Sequence, residues 1–225
     1  MNPKTPDTTL ARRMSALDIL YARVRLAQTG FRASAAEKGS PVSCPADCGN
    51  CCVRFVPDVL PIEADKIAHF LLAGKPGLID RLGAGDGRTE TACPFWNPDN
   101  PGENCMIYPA RPLICRLFGF SSVLDKCGEP AFALCRQMRP VAGSPKRLFV
   151  GVSAMEELFG SAPPLMIDFS REIIALDPGE AGRRTGLREA LGSSLPKVSL
   201  LLKLSSMEPE GDEDPDSTDD LMRAG

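Results

Sequence analysis

The sequence predicts a mainly α protein with irregular, metal-bound cysteine loops, a small helical domain that ends in a disordered acidic tail. Three observations lead there. Apolar residues recur at helical spacing in several stretches, strand-like alternation is scarce, and most of the nine cysteines fall in segments rich in glycine and proline. Aromatic residues make up only 6% of the chain, so its core is modest, and a metal site that forms on folding can supply missing order. The elements group into an N-terminal helix (1–40), a cysteine-cluster metal-binding domain (41–140), a helical extension (141–206) and the tail (207–225).

Residues 8–35 read as a basic amphipathic helix. Met14, Leu17, Leu20, Tyr21 and Val24 form its apolar stripe, and arginines fill the other faces. The next stretch, CPADCGNCC from Cys44 to Cys52, reads as a loop because Pro41, Pro45, Gly49 and Asn50 all favour turns. A short extended piece follows around Val53–Pro61. Ile62–Ala73 then has helical periodicity, acids in its first turn and Gly74 placed to end it. Residues 83–104 form a long irregular loop carrying Cys93, a length that calls for function or pinning. Pro109 and Pro112 start a short helix through Cys115. Met155–Phe159, Leu165–Ile174 and Leu187–Leu204 read as helices, the last interrupted near Pro196.

Charge narrows the function classes. The net charge is −3, yet Glu208–Asp220 holds eight acids and no base, so the body of the chain is mildly basic. The acidic run has little to bury and is expected to be disordered. The basic excess is weak, and no helix-turn-helix or RNP-type pattern accompanies it, which argues against nucleic acid as a partner. No apolar run approaches the roughly 18 residues of a membrane helix, and no signal-peptide pattern opens the chain. The expected compartment is therefore the cytoplasm, where clustered thiols serve as metal ligands or redox groups rather than disulfides.

Cys44, Cys48 and Cys51 spell C-x3-C-x2-C, the cluster-binding spacing of radical S-adenosylmethionine enzymes. The context opposes that reading, because a helix precedes the loop and no strand–helix repeat follows it. Cys48-x2-Cys51 also resembles one half of a zinc site, but Cys93, Cys105 and Cys115 are too widely spaced for a second knuckle. An iron–sulfur cluster tolerates spread ligands better, since each thiolate binds its own iron. His69 is the sole histidine, so the donor set is soft and sulfur-only, suited to iron–sulfur, zinc or Cu(I). Arg111 and Arg116 lie beside Cys115 and are placed to offset thiolate charge. Of the doubled pair, Cys51 is the expected ligand, because it closes the C-x2-C turn. Cys52 leads into Val53–Val56 and suits burial.

Together, C-x3-C-x2-C-C, then C-P-F, then C-x-I-Y-x-x-R-P-x-x-C-R-x-F resemble the YkgJ-like cysteine-cluster family, whose domain is described as zinc- or iron-chelating. The resemblance spans about residues 44–135 and rests on Cys44, Cys48, Cys51, Cys52, Cys93, Cys105, Tyr108, Arg111, Pro112, Cys115 and Arg116. Cys135 supplies an eighth cysteine, while Cys127 stands outside the pattern, and Trp96 sits where an aliphatic residue is commoner. The resemblance implies a metal set of Cys44, Cys48, Cys51, Cys52, Cys93, Cys105, Cys115 and Cys135. The spread of the thiols makes the expected cofactor a [4Fe–4S] cluster first and zinc second, and the resemblance itself implies zinc or iron. The family also includes flagellin lysine N-methylases, so protein-lysine methyl transfer is one alternative and thiol redox exchange another. A protein partner or substrate is compatible with all three, and no catalytic residue is assigned.

Overall fold

The computed structural model describes residues 8–44, 48–83, 91–100, 104–135, 137–138, 149–180 and 182–206. The tail at 207–225 and parts of the 83–104 loop lie outside these residues.

Helix α1 spans Thr8–Glu37. Its stripe of Leu17, Leu20, Tyr21, Val24, Phe31 and Ala35 is buried, following the i, i+3, i+4 spacing that puts residues on one face. The helix is long enough to serve two core clusters. Its first half packs with Leu60, Ile62, Leu113, Leu117 and Ile173. Its last turns bring Phe31 against Phe132 and Phe159 in three edge-to-face ring pairs with centroids 5.5–5.8 Å apart. Gly39, at φ +73°, stops it, with Ser40 N–H donating to Ala35 O at 2.8 Å.

Helix α3 spans Pro61–Gly74, one residue wider at each end than the periodicity predicts. Pro61 at the first helical position loses nothing, because that N–H has no intrahelical partner. The Glu63 carboxylate turns back to accept from Leu60 N–H at 2.9 Å and caps the helix start. Between these helices, strand β1 (Asp58–Val59) pairs antiparallel with β5 (Thr185–Gly186). Helix α7, Leu187–Ser206, starts directly after β5 and lies along α3. Leu187, Ala190, Leu191 and Val198 join Ala64, Ile67, Ala68 and Leu71 in the first core cluster. The buried Asp65 carboxylate pairs with Lys197 across the same interface.

Two expectations need correction. Helix α7 runs through Pro196 without a break. A proline removes one backbone hydrogen bond, and packing on α3 from residues on both sides of it outweighs that loss. The cysteine stretch is not wholly loop, because Asn50–Val53 form one helical turn, α2. A three-stranded antiparallel sheet is also present, from β2 (Val123–Leu124), β3 (Pro130–Ala133) and β4 (Phe149–Gly151). Its strands are too short to show an alternating pattern. Helices α4 (Leu113–Leu117), α5 (Val152–Phe159) and α6 (Met166–Leu176) complete the α-helices among the described residues. No helix among these residues is long and apolar enough to cross a membrane.

Candidate metal-binding cleft

The chain brings its two cysteine groups together through backbone pairing. Cys93 N–H donates to Cys52 O at 2.9 Å, which ties the second group to the first. Trp96 and Cys105 form an antiparallel bridge. Beside it, Met106 N–H donates to Phe95 O at 3.0 Å and Asn97 N–H to Asn104 O at 2.9 Å. This small ladder sets Cys93 and Cys105 side by side, twelve positions apart in the chain. Gly49 then lets the first group lie against it. A Cβ built at Gly49 would stand 2.7 Å from the Trp96 indole nitrogen and 3.0 Å from Asn104 Oδ1. Only a residue without a side chain permits that approach.

The third contributor, Cys115, sits on α4, and Glu63 holds that helix. The Glu63 side chain is fully enclosed. Besides capping α3, it accepts from Leu113 N–H at 2.7 Å and from the Tyr21 hydroxyl at 3.3 Å, and Arg184 lies 3.7 Å away. One buried carboxylate thus joins α1, α3 and α4, satisfying donors that would otherwise be orphaned. Arg116 braces the same wall. Its guanidinium donates to Arg111 O at 2.8 Å and Pro109 O at 2.6 Å, and rests on the Tyr21 ring at 3.9 Å. Gln28 of α1 donates to Arg116 O at 2.7 Å.

The result is an open cleft of about 810 Å³ lined by Cys44, Cys48, Cys51, Cys52, Cys93, Cys105 and Cys115. All nine cysteines of the chain are free thiols. Cys135 does not line the cleft. It packs at the edge of the third core cluster, near enough to Cys44 for its charge to act there. Cys127 lies exposed in the turn between β2 and β3, where Asp125 accepts from its backbone N–H. His69 is half-buried on α3 and lines no part of the cleft.

Electrostatics separates the seven thiols. Burial, then neighbouring thiols, push Cys115 up to about 12. Burial likewise takes Cys93 up to about 11 and raises Cys105 and Cys44. Cys51 goes the other way. The helical turn of α2 brings its sulfur within 3.8 Å of Cys52 Sγ, and the Cys52 thiol as donor lowers Cys51 to about 6. Cys52 is raised in return, first by that hydrogen bond and then by burial. Cys51 is exposed and Cys52 packs partly against the first core cluster, yet both face the same cleft.

The donor set tests what such a cleft can hold. No Asp, Glu or His lines it among the described residues, which leaves thiols as the strongest donors and favours soft or borderline ions. The thiols line the walls rather than meet at one point. Among the described residues, no three His, Cys, Asp or Glu side chains are gathered closely enough to hold an ion. Several features had no sequence signal pointing at them, including the Glu63 hub, the Gly49–Trp96 contact and the cations Arg25, Arg32 and Lys75 on the cleft wall.

A mainly helical chain with a thiol-lined cleft, free of carboxylates among the described residues, has the donor chemistry of a cysteine-rich metal-chelating domain. Residues 43–137 match the CxxCxxCC family, described as a "putative zinc- or iron-chelating domain". The match takes in every cysteine of the chain. No curated protein and no solved structure matches the chain.

Proposed function

We infer that this protein binds metal through the cysteine cleft, holding an iron–sulfur cluster, with zinc as the second reading. The observation that carries it is the gathering of seven thiols, drawn from Cys44 to Cys115, along one cleft that has no carboxylate or histidine among the described residues. Cys48, Cys51, Cys93, Cys105 and Cys115 are the strongest ligand candidates, with Cys44 and Cys52 beside them and Cys135 at the margin. Bound metal would neutralise thiolates and fasten the Cys93 and Cys105 segment to the Cys44–Cys52 stretch. Spread ligands favour a cluster over a single tetrahedral ion, since each iron takes one thiolate.

The same cleft disfavours a lysine methylase, because a cationic substrate side chain would meet walls bearing arginine and lysine and, among the described residues, no acid. A redox role draws on the 3.8 Å Cys51–Cys52 sulfur contact, where an adjacent-cysteine disulfide would be strained and labile. We place the chain in the cytoplasm, where thiols stay reduced and available to metal. Purification without oxygen tests the reading. Brown protein absorbing near about 400 nm with stoichiometric iron supports a cluster. Colourless protein with stoichiometric zinc moves the reading to zinc, and metal-free protein after reconstitution with either refutes both.

A further inference from the structure

The cleft is larger and more positive than metal chelation requires. Five cations line it, namely Arg25 and Arg32 of α1, Lys75 after α3, and Arg111 and Arg116. None of the five pairs with a carboxylate among the described residues. Three lie close together, since the charges of Arg111 and Arg25 act on Arg116, after burial, to lower it. A divalent ion held by four thiolates carries a net charge of about −2, so the wall remains positive after loading. Volume points the same way. A cleft of about 810 Å³ falls in the size range that takes up an organic ligand or a peptide segment, and one thiolate-bound ion fills a small part of it.

Two further details define what fits. The Arg111 Nε–H is buried and has no hydrogen-bond partner, a donor awaiting an acceptor. At the rim, Phe55, Tyr108 and Phe118 are 40%, 58% and 44% exposed, large apolar surface left uncovered beside the cations.

We propose that the metal-loaded cleft docks an acidic segment of a partner polypeptide, its carboxylates meeting Arg25, Lys75 and Arg111 and its apolar side chains covering Phe55 and Phe118. The inference rests on the metal reading, because the charge surplus is counted after chelation. A polypeptide fits better than a membrane, since the cations lie on the walls of a cleft that a flat headgroup surface does not enter. It fits better than a nucleic-acid strand as well. Arg116 gives its donors to the carbonyls of Arg111 and Pro109, and Arg32 gives one to Val42 O. The remaining cations are too few for a phosphate at every nucleotide.

The experiment uses the full chain, loaded with metal without oxygen. A fluorescein-labelled peptide of glutamates with interspersed phenylalanines is titrated at low and high salt and read by anisotropy. A lysine-for-glutamate peptide, an oligothymidylate and phosphatidylserine vesicles are run in parallel. The chain's own acidic segment, Glu208–Asp220, is the competing occupant that the test must exclude. The titration is therefore repeated on a full-length variant with its eight acids changed to amides. We expect saturable binding of the glutamate peptide in at least the amide variant, weakening steeply with salt. Arg25→Glu and Lys75→Glu, both at exposed positions, should each weaken it on the order of tenfold while metal content is unchanged.

Absence of glutamate-peptide binding in both proteins overturns the proposal. So do equal binding of the lysine peptide, preference for the oligonucleotide or vesicles, or charge reversals without effect. Metal analysis of the same samples keeps the two readings apart. A chain that loads metal but ignores the peptide refutes docking alone, and one that binds the peptide but never loads metal refutes chelation.

Discussion

Removing the Glu63 carboxylate should loosen the wall that carries Cys115 without touching a thiol. Glu63 is 1% exposed and serves three donors, the backbone N–H groups of Leu60 and Leu113 and the Tyr21 hydroxyl, with Arg184 at 3.7 Å. A hydrogen bond to a charged acceptor contributes roughly 1.5–3 kcal/mol, and the values do not simply add. A buried donor left without its acceptor costs about 1–3 kcal/mol. The Tyr21 bond is long and Arg184 is one-third exposed, so the two backbone bonds dominate. Glu63→Ala strands those two donors and should therefore destabilise the chain by about 4 kcal/mol. Glu63→Gln should cost about half as much, because its NH2 must face one of the two backbone donors. Urea unfolding at neutral pH measures both, with an unchanged denaturant slope showing that the loss is one of stability. Pulse alkylation of the native, metal-free protein should show Cys115 exposed disproportionately to Cys93, because α4 begins at Leu113. A loss below about 1 kcal/mol for Glu63→Ala, or uniform exposure of both thiols, would refute the hub.

Four other outcomes follow from the cleft. Cys48→Ser and Cys115→Ser should lose most bound metal while Cys127→Ser keeps it, and equal losses measured by metal analysis would contradict the assignment. In metal-free protein, Cys51 should be alkylated first, with a rate midpoint near pH 6 that moves up in Cys52→Ala. Because its folded value is lowered, the stabilisation Cys51 brings is present above the ordinary thiol range and is lost as pH falls through about 6. A midpoint in the ordinary thiol range would show that the hydrogen bond from Cys52 is absent. Gly49→Ala should cost about 1–3 kcal/mol by crowding Trp96, with partial recovery in the double variant with Trp96→Phe, so simple additivity in thermal melts would argue against the contact. Stripping metal should raise hydrogen exchange across 48–115 more than in α5 and α6, and affinity should climb with pH because Cys93 and Cys115 must shed protons to bind. Unchanged protection after complete removal would mean that the metal orders nothing.

Much of this protein is readable without a structure. The stripe from Met14 to Val24 is enough for α1, because helical spacing repeats over many turns. Pro61 and Gly74 bracket α3 through rules that act within one or two residues. The order of the cysteine groups identifies their kind, since the spacings combine into a pattern that a single motif lacks. Each of these signals is local, and local physics suffices for it. The short strands β2, β3 and β4 carry no such signal, because two to four residues are too few for alternation to show. Continuation of α7 past Pro196 depends on α3, a partner over a hundred residues away in the chain.

The sequence alone determined which thiols are available and that sulfur would be the donor, because residue identity settles ligand chemistry. Tertiary structure decided which of them share one cleft. The Cys52–Cys93 backbone bond and the Trp96–Cys105 bridge bring the groups together, while Cys135 stays at the margin and Cys127 on a remote turn. It also decided the charge of that cleft. Arg25, Arg32 and Lys75 look like ordinary solvated cations in the chain and become its wall only when α1 and the end of α3 pack around it. The physical reason is distance. Helical period and turn chemistry are set by neighbours a few residues apart, whereas a thiol's proton affinity and a cleft's field depend on groups that only folding brings within a few ångströms.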